Sequence, residues 1–233
     1  MMTFEATYLG SNGWLIKFNK NNLIIDPWLK GDLIFPPGDW FFKGSLEREI
    51  SISKDVDIIL LTQGLPDHCH IPTLEMFSKN IPIICPKSAC GILEKIGFSS
   101  IKILNPSEKI HQFNLSFEAT AGAPVPQIEN GYIVRDDQDN SFYIEPHGYL
   151  DENLEKQNLD AVITPTKNLE LPLVGPFVKG ADVIPKLISK FNPKFILSST
   201  VGGDAKYSGF LNNFISVKEY KKELNCDLID LET

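Results

Sequence analysis

Long apolar runs are missing from this 233-residue chain, and so is any excess of positive charge. The longest apolar stretches, within 57–62 and 81–85, are strand-sized, far from the ~20 residues that span a bilayer. Lys and Arg number 22 against 30 Asp and Glu, a formal net charge of −8. Such a balance argues against nucleic acid or an anionic membrane surface as partner. It is compatible with a small-molecule substrate or ligand held by a local site. The first eight residues carry Glu5 and no basic stretch before an apolar one, so no secretory signal is expected. The four cysteines, Cys69, Cys85, Cys90 and Cys226, lack both paired-ligand spacing and the look of a disulfide framework. A reduced, cytoplasmic protein is expected. Low-complexity linkers and internal repeats are also missing, so one domain over 1–233 is expected.

What is present is a core. Hydrophobic residues make up 42% of the chain and charged residues 22%, a globular balance. By surface scaling, a chain of this mass buries roughly 70% of its extended surface. Segments 4–9, 13–18 and 22–26 are rich in Ile, Leu and aromatics and are separated by Asn-rich turns, so they predict a meander of antiparallel strands. Pro27 ends it. A long aromatic loop through Trp40, Phe41 and Phe42 follows. Segments 57–62, 81–85 and 101–104 read as strands, and 73–79 and 87–96 as helices, with Pro72 at a helix start and Gly97 at a helix end. Further on, 111–119, 131–135, 141–145, 160–165 and 195–199 read as strands. The second and third of these form a hairpin; 181–191 and 219–224 read as helices. Strands alternating with helices predict an α/β layer architecture.

Only four histidines exist: His68, His70, His111 and His147. Two of them fall in Thr62-Gln63-Gly64-Leu65-Pro66-Asp67-His68-Cys69-His70, directly after an apolar strand. A strand end fixes position while its loop presents side chains, and carboxylate with imidazole in such a loop suits a metal site. The plain alternative is that Asp67 caps the helix near Pro72 and His68 is an ordinary loop residue.

Order of elements and motifs together resemble the metallo-β-lactamase superfamily, in particular its ascorbate-phosphate lactonase-like hydrolases. The matching pieces are Tyr8-Leu9-Gly10, Trp14-Leu15-Ile16, Ile25-Asp26-Pro27-Trp28-Leu29 and the strand running into Asp67-His68. The resemblance covers residues 4 to about 204. It implies a four-layer αββα sandwich of two mixed β-sheets, and a site at one edge where the loops carrying Asp67-His68, 120–127, His147 and 200–204 converge.

The resemblance also implies a reduced ligand set. The family's His-x-His pair falls on Gln63 and Leu65, and Leu cannot coordinate. Its next His falls in 120–124, and its last His falls in 198–204; neither stretch contains one. Lined up on Tyr143, the family's bridging Asp falls on His147. Asp67, His68 and His147 therefore remain as metal ligands, with Asp67 and His68 also as catalytic groups. Gln63, His70, Glu145, Asp26 and Asp204 are candidates behind the ligands or toward substrate. Two imidazoles and a carboxylate hold at most one Zn²⁺, Fe²⁺ or Mn²⁺. The implied activity is hydrolysis of a small ester, lactone or phosphorylated metabolite. The alternatives are a non-catalytic member that binds a ligand or partner in the former cleft without metal, and a metal-free acid–base enzyme. A Cys69 thiolate beside His68 is disfavoured, since neighbours on an extended segment point opposite ways.

Overall fold

The computed structural model describes residues 4–18, 20–52, 55–124, 129–200, 205–219 and 226–229. The chain opens with the antiparallel meander β1 (Glu5–Gly10), β2 (Gly13–Lys17) and β3 (Asn22–Ile25). A hairpin of β4 (Asp32–Phe35) and β5 (Phe42–Leu46) then occupies much of the expected aromatic loop. Next come β6 (Ile58–Leu60), α1 (Ile71–Leu74), β7 (Ile83–Cys85), α2 (Lys87–Lys95) and β8 (Ile101–Ile103). β3, β6, β7 and β8 run parallel and complete a six-stranded mixed sheet.

The second half repeats the plan. β9 (Lys109–Gln112), β10 (Leu115–Ala121), β11 (Asn130–Asp136) and β12 (Ser141–Ile144) are antiparallel. β13 (Ala161–Pro165) then starts the parallel part. A second hairpin, β14 (Lys167–Leu171) with β15 (Gly175–Lys179), leads into α3 (Gly180–Phe191), which Asn192 ends in the left-handed conformation. β16 (Phe195–Ser199), β17 (Ala205–Ser208), β18 (Ser216–Glu219) and β19 (Asp227–Ile229) follow. The second mixed sheet has the order β19-β16-β13-β12-β11-β10-β9. β17 joins the β4–β5 hairpin and β18 joins the β14–β15 hairpin, making two small sheets. Among the described residues no helix is long and apolar enough to cross a membrane.

Alternation along the strands creates the layers. Leu23 and Ile25, Phe142 and Ile144, and Ala161 and Ile163 meet between the two large sheets in one cluster that includes Trp14 and Phe117. Their neighbours point the other way. Ile24 and Ile59 pack under Leu93 of α2 on one outer face. Tyr143 and Val162 pack under Leu187 and Phe191 of α3 on the other. Helix, sheet, sheet, helix is thus the order of layers, the four-layer αββα sandwich of two mixed sheets.

Several elements differ from the sequence reading. The expected strand over 111–119 is a hairpin, because Phe113 takes a φ of 52° and turns the chain between β9 and β10. The helix expected over 73–79 is the single turn α1, after which Met76 N and Phe77 N donate back only three residues. His70, not Asp67, stands at its N-terminus. The β14–β15 hairpin stands where no strand was expected between 165 and 181. Of the last expected helix, Glu219 lies in β18 and 220–224 fall outside the described residues.

Candidate metal centre

Strand ends bring four segments together. β3 leads directly into Asp26, whose φ of 41° turns its carboxylate under the β6 end. Its Oδ1 accepts the Thr62 backbone N–H at 2.8 Å, and its Oδ2 faces both the Thr62 hydroxyl and His68 Nδ1, the latter at 2.9 Å. Asp26 and His68 are fully buried. The geometry places the Nδ1 proton on the Asp26 side and turns His68 Nε2 toward Asp67 and Asn12. Gly64 lets this loop close down: a Cβ there would stand 2.5 Å from the Ser88 carbonyl oxygen.

Three groups converge at His68. One ligand atom each from His68, Glu129 and His147 lies within 4.8 Å of the other two. The His68 and His147 ring centroids are 5.3 Å apart. Glu129 Oε2 sits 2.8 Å from His147 Nδ1. Glu129 was not singled out from the sequence. It precedes β11, just beyond the Pro- and Gly-containing segment where the resemblance places a missing His, and a lone acid in that segment is the only signal.

Glu145 lies behind this group. Its Oε1 accepts the Ala123 N–H, and its Oε2 accepts the N–H groups of His147 and Tyr149. Burial, and then the neighbouring Glu129 carboxylate, push its pKa well above the ordinary carboxylate range.

Asp67 borders the group on the other side. Its Oδ2 is 3.3 Å from His68 Nε2, and its Oδ1 is buried without a hydrogen-bond partner. Burial raises its pKa, but the positive charge of His68 and His147 outweighs this and keeps it ionised. For His68, burial disfavours the charged ring, yet Asp67 and Asp26 on either side hold its pKa well above the ordinary value. Asp26 is pushed up by burial, against the pull of His68 and Thr62.

Asn12, in the β1–β2 turn, closes the mouth. Its Nδ2 stands 3.2 Å from Asp67 Oδ2 and 3.3 Å from His68 Nε2. The sequence reading took this Ser-Asn-Gly stretch only as a turn.

The remaining candidates separate. Gln63 is buried on the same loop. His70 turns away: it pairs with Thr73 Oγ1 at 2.9 Å and the Asp32 carbonyl at 3.3 Å, beside the Trp28 ring. It braces α1 against β4, which corrects its placement toward substrate or behind the ligands. Cys69 packs into the outer core, and burial pushes its thiol up to about 12, the opposite of an activated nucleophile. Asp204 falls outside the described residues.

The donor set suits a single divalent ion. Two imidazoles and a carboxylate converge, one imidazole is aligned by a buried carboxylate, and the orphaned Asp67 Oδ1 adds unneutralised negative charge. These residues fit such an ion. Among the described residues this is the only cluster of three metal-ligating side chains.

Comparison with known proteins agrees with the fold. Residues 5–199 match the family model described as the Beta-lactamase superfamily domain. The chain belongs to this family, and its sandwich is the metallo-β-lactamase fold. A possible metal-dependent hydrolase from Veillonella parvula has a TM-score of 0.65 at 15% identity, covering 86% of each chain. An isothiocyanate hydrolase from Delia radicum gut bacteria has a TM-score of 0.65 at 13% identity, covering 88% of this chain and 98% of that one. CmlA, a diiron β-hydroxylase from Streptomyces venezuelae, has a TM-score of 0.61 at 14% identity. The match covers 88% of this chain but only 46% of the hydroxylase, so this chain spans about half of its length. Comparison with curated proteins finds no match.

Proposed function

We propose that this chain is a single-metal hydrolase whose ion is held by His68, Glu129 and His147, with Asp67 at its edge. The observation that carries this reading is the convergence of those three side chains, with Asp26 bonded to His68 Nδ1. Glu129 replaces one of the three ligands, Asp67, His68 and His147, named from the sequence, and Asp67 becomes a flanking group. Zn²⁺, Fe²⁺ and Mn²⁺ all suit two imidazoles and a carboxylate.

When bound, the ion would lower the pKa of a coordinated water and polarise a carbonyl or phosphoryl oxygen. The protein supplies the rest. Asp26 fixes the His68 tautomer, and Glu145 holds the backbone at 123, 147 and 149 so that His147 stays oriented. Asp67, ionised and only partly exposed, is placed to take a proton from an attacking water. The substrate class is a small ester, lactone or phosphorylated metabolite. An acidic chain with four free cysteines supports a small-molecule enzyme of the reducing cytoplasm, with no nucleic acid or membrane partner.

One observation favours a second reading: Gln63 and Leu65 stand where the family's His pair belongs. A non-catalytic member would use the same cleft to bind a ligand.

Metal content by mass spectrometry, on protein purified without a metal-binding tag, separates the two. About one ion per chain in the wild type, lost in Glu129→Gln and His147→Ala, supports the hydrolase and justifies an esterase, lactonase and phosphodiesterase screen. No ion after loading with Zn²⁺, Mn²⁺ or Fe²⁺ overturns it in favour of the second reading.

A further inference from the structure

The aromatic side chains of the β4–β5 hairpin take no part in holding the ion, yet they lead to it. Paired residues on neighbouring strands share a face, and successive residues alternate between faces. Phe35 of β4, Phe42 and Gly44 of β5 and Tyr207 of β17 therefore line one face of their small sheet. The Phe35 and Phe42 ring centroids are 5.1 Å apart, and Phe42 and Tyr207 are stacked at 5.6 Å with 11° between their planes. All three rings are partly exposed. Gly44 makes room for the row: a Cβ there would stand 3.0 Å from the Tyr207 ring and 3.1 Å from the Trp28 indole.

The inner end of the row reaches the mouth of the site. Tyr207 Oη donates to Ser11 Oγ at 3.3 Å. The next residue, Asn12, stands 3.2 Å from Asp67 Oδ2 and accepts the Thr200 hydroxyl at 3.0 Å. Burial pushes the Tyr207 phenol up to about 12, against the Ser11 hydrogen bond and with the Asp67 charge. The hydroxyl thus pins one end of the ring beside the site, and the row runs outward from there.

Charge selects what can lie on it. Lys43 and Lys206 alternate with these aromatics, so they point to the opposite face; they pair with Asp32 at 2.8 Å and Glu47 at 2.7 Å. Asp26, Asp67 and Glu129 flank the two imidazoles, and among the described residues no ion pair brings a Lys or Arg to them. A phosphate dianion is recognised by cations or fixed N–H donors around it. An uncharged aromatic ring needs a flat apolar face and gains most from offset or tilted partners about 4.5–7 Å away.

We propose that Phe35, Phe42 and Tyr207 form the subsite for a flat, uncharged aromatic group on the ligand of the neighbouring site, which makes the substrate an aryl ester or aryl-substituted lactone rather than a phosphorylated metabolite. The word substrate rests on the hydrolase reading above; the aromatic subsite deepens it.

The test is fluorescence titration with N-(2-naphthyl)acetamide, an uncharged amide with the shape of an aryl ester that resists hydrolysis, beside 2-naphthyl phosphate. Chelator-treated protein is used, so binding is read without the ion or turnover. Phe42→Ala, Phe42→Leu and Tyr207→Leu should weaken the amide about tenfold, the scale of one aromatic contact together with its buried area. Phe42→Leu keeps the apolar volume should Phe42→Ala fail to fold. Tyr207→Phe keeps the ring, and Ile34→Ala lies on the opposite face; both should stay within about twofold of wild type. The phosphate should bind at least about tenfold weaker than the amide. No binding by the wild type, equal binding by all variants, or a phosphate as tight as the amide would overturn the subsite. So would sedimentation of the wild type as a dimer that Phe42→Leu dissociates, since the row would then be a contact between two copies. One ion per chain without amide binding removes the subsite and leaves the hydrolase. Amide binding in a chain that takes up no ion removes the hydrolase and leaves an aromatic-ligand cleft.

Discussion

Asp26 Oδ2 lies 2.9 Å from His68 Nδ1, with both side chains fully out of solvent and 42 residues apart in the chain. One carboxylate at the end of β3 thereby decides which nitrogen of His68 faces the site. Asp26→Asn keeps the shape but removes the charge that aligns the ring. Metal affinity should fall by about 10- to 100-fold, the scale for partners of metal-bound histidines. Circular dichroism should show the fold retained. A folded variant with wild-type affinity would mean that Asp26 serves the strand end alone.

Gly64 carries the loop over the start of α2. Adding a Cβ 2.5 Å from the Ser88 carbonyl oxygen forces the loop outward, because the obstacle is backbone. Gly64→Ala should lower stability by about 1–3 kcal/mol, the range for overpacking. It should also weaken metal binding, since Asp67 and His68 ride on the same loop. Urea denaturation beside a metal titration measures both.

His70 gives a pH dependence that is separate from the ligands. Burial, helped by the Lys30 charge, lowers its pKa below the ordinary 6.5 despite the Asp32 carbonyl. The unfolded chain therefore binds the extra proton first. Its contribution to stability is complete above about pH 6.5 and is lost as pH falls through the depressed folded value. His70→Gln should remove this slope, so the stability difference between wild type and variant should shrink from pH 7 to pH 5. A difference that stays constant or widens would exclude the neutral, doubly bonded His70.

Cys69 and Cys85 differ from the other thiols. Burial pushes both up to about 12, and the nearby Asp26 and Cys90 groups add to it. Cys90 and Cys226 are part-exposed. Iodoacetamide at pH 8 should label Cys90 and Cys226 in the native protein, and all four cysteines in urea, as read by mass spectrometry. Native labelling of Cys69 would mean that the site loop opens.

The sequence by itself determined the layers. Short apolar runs such as β3, β12 and β13, buried on both faces, read as central strands without reference to distant residues, and the Asn-rich turns between β1, β2 and β3 fix the antiparallel meander. Short strands escaped it. The strands of the β4–β5 and β14–β15 hairpins hold only four or five residues each; pairing with β17 and β18 from far along the chain extends both hairpins into small sheets. His68 and His147 were legible because histidine is scarce and each follows an apolar strand. Glu129 and Asn12 were not, since one is an ordinary acid after a loop and the other an ordinary turn residue. Only tertiary structure decided that Asp26, Glu129, Asn12 and Thr200 meet around His68, while His70, two residues away, turns its back. Adjacency in sequence sets the direction of a side chain, but the partners a buried polar group finds come from whichever strand ends the sandwich packs beside it.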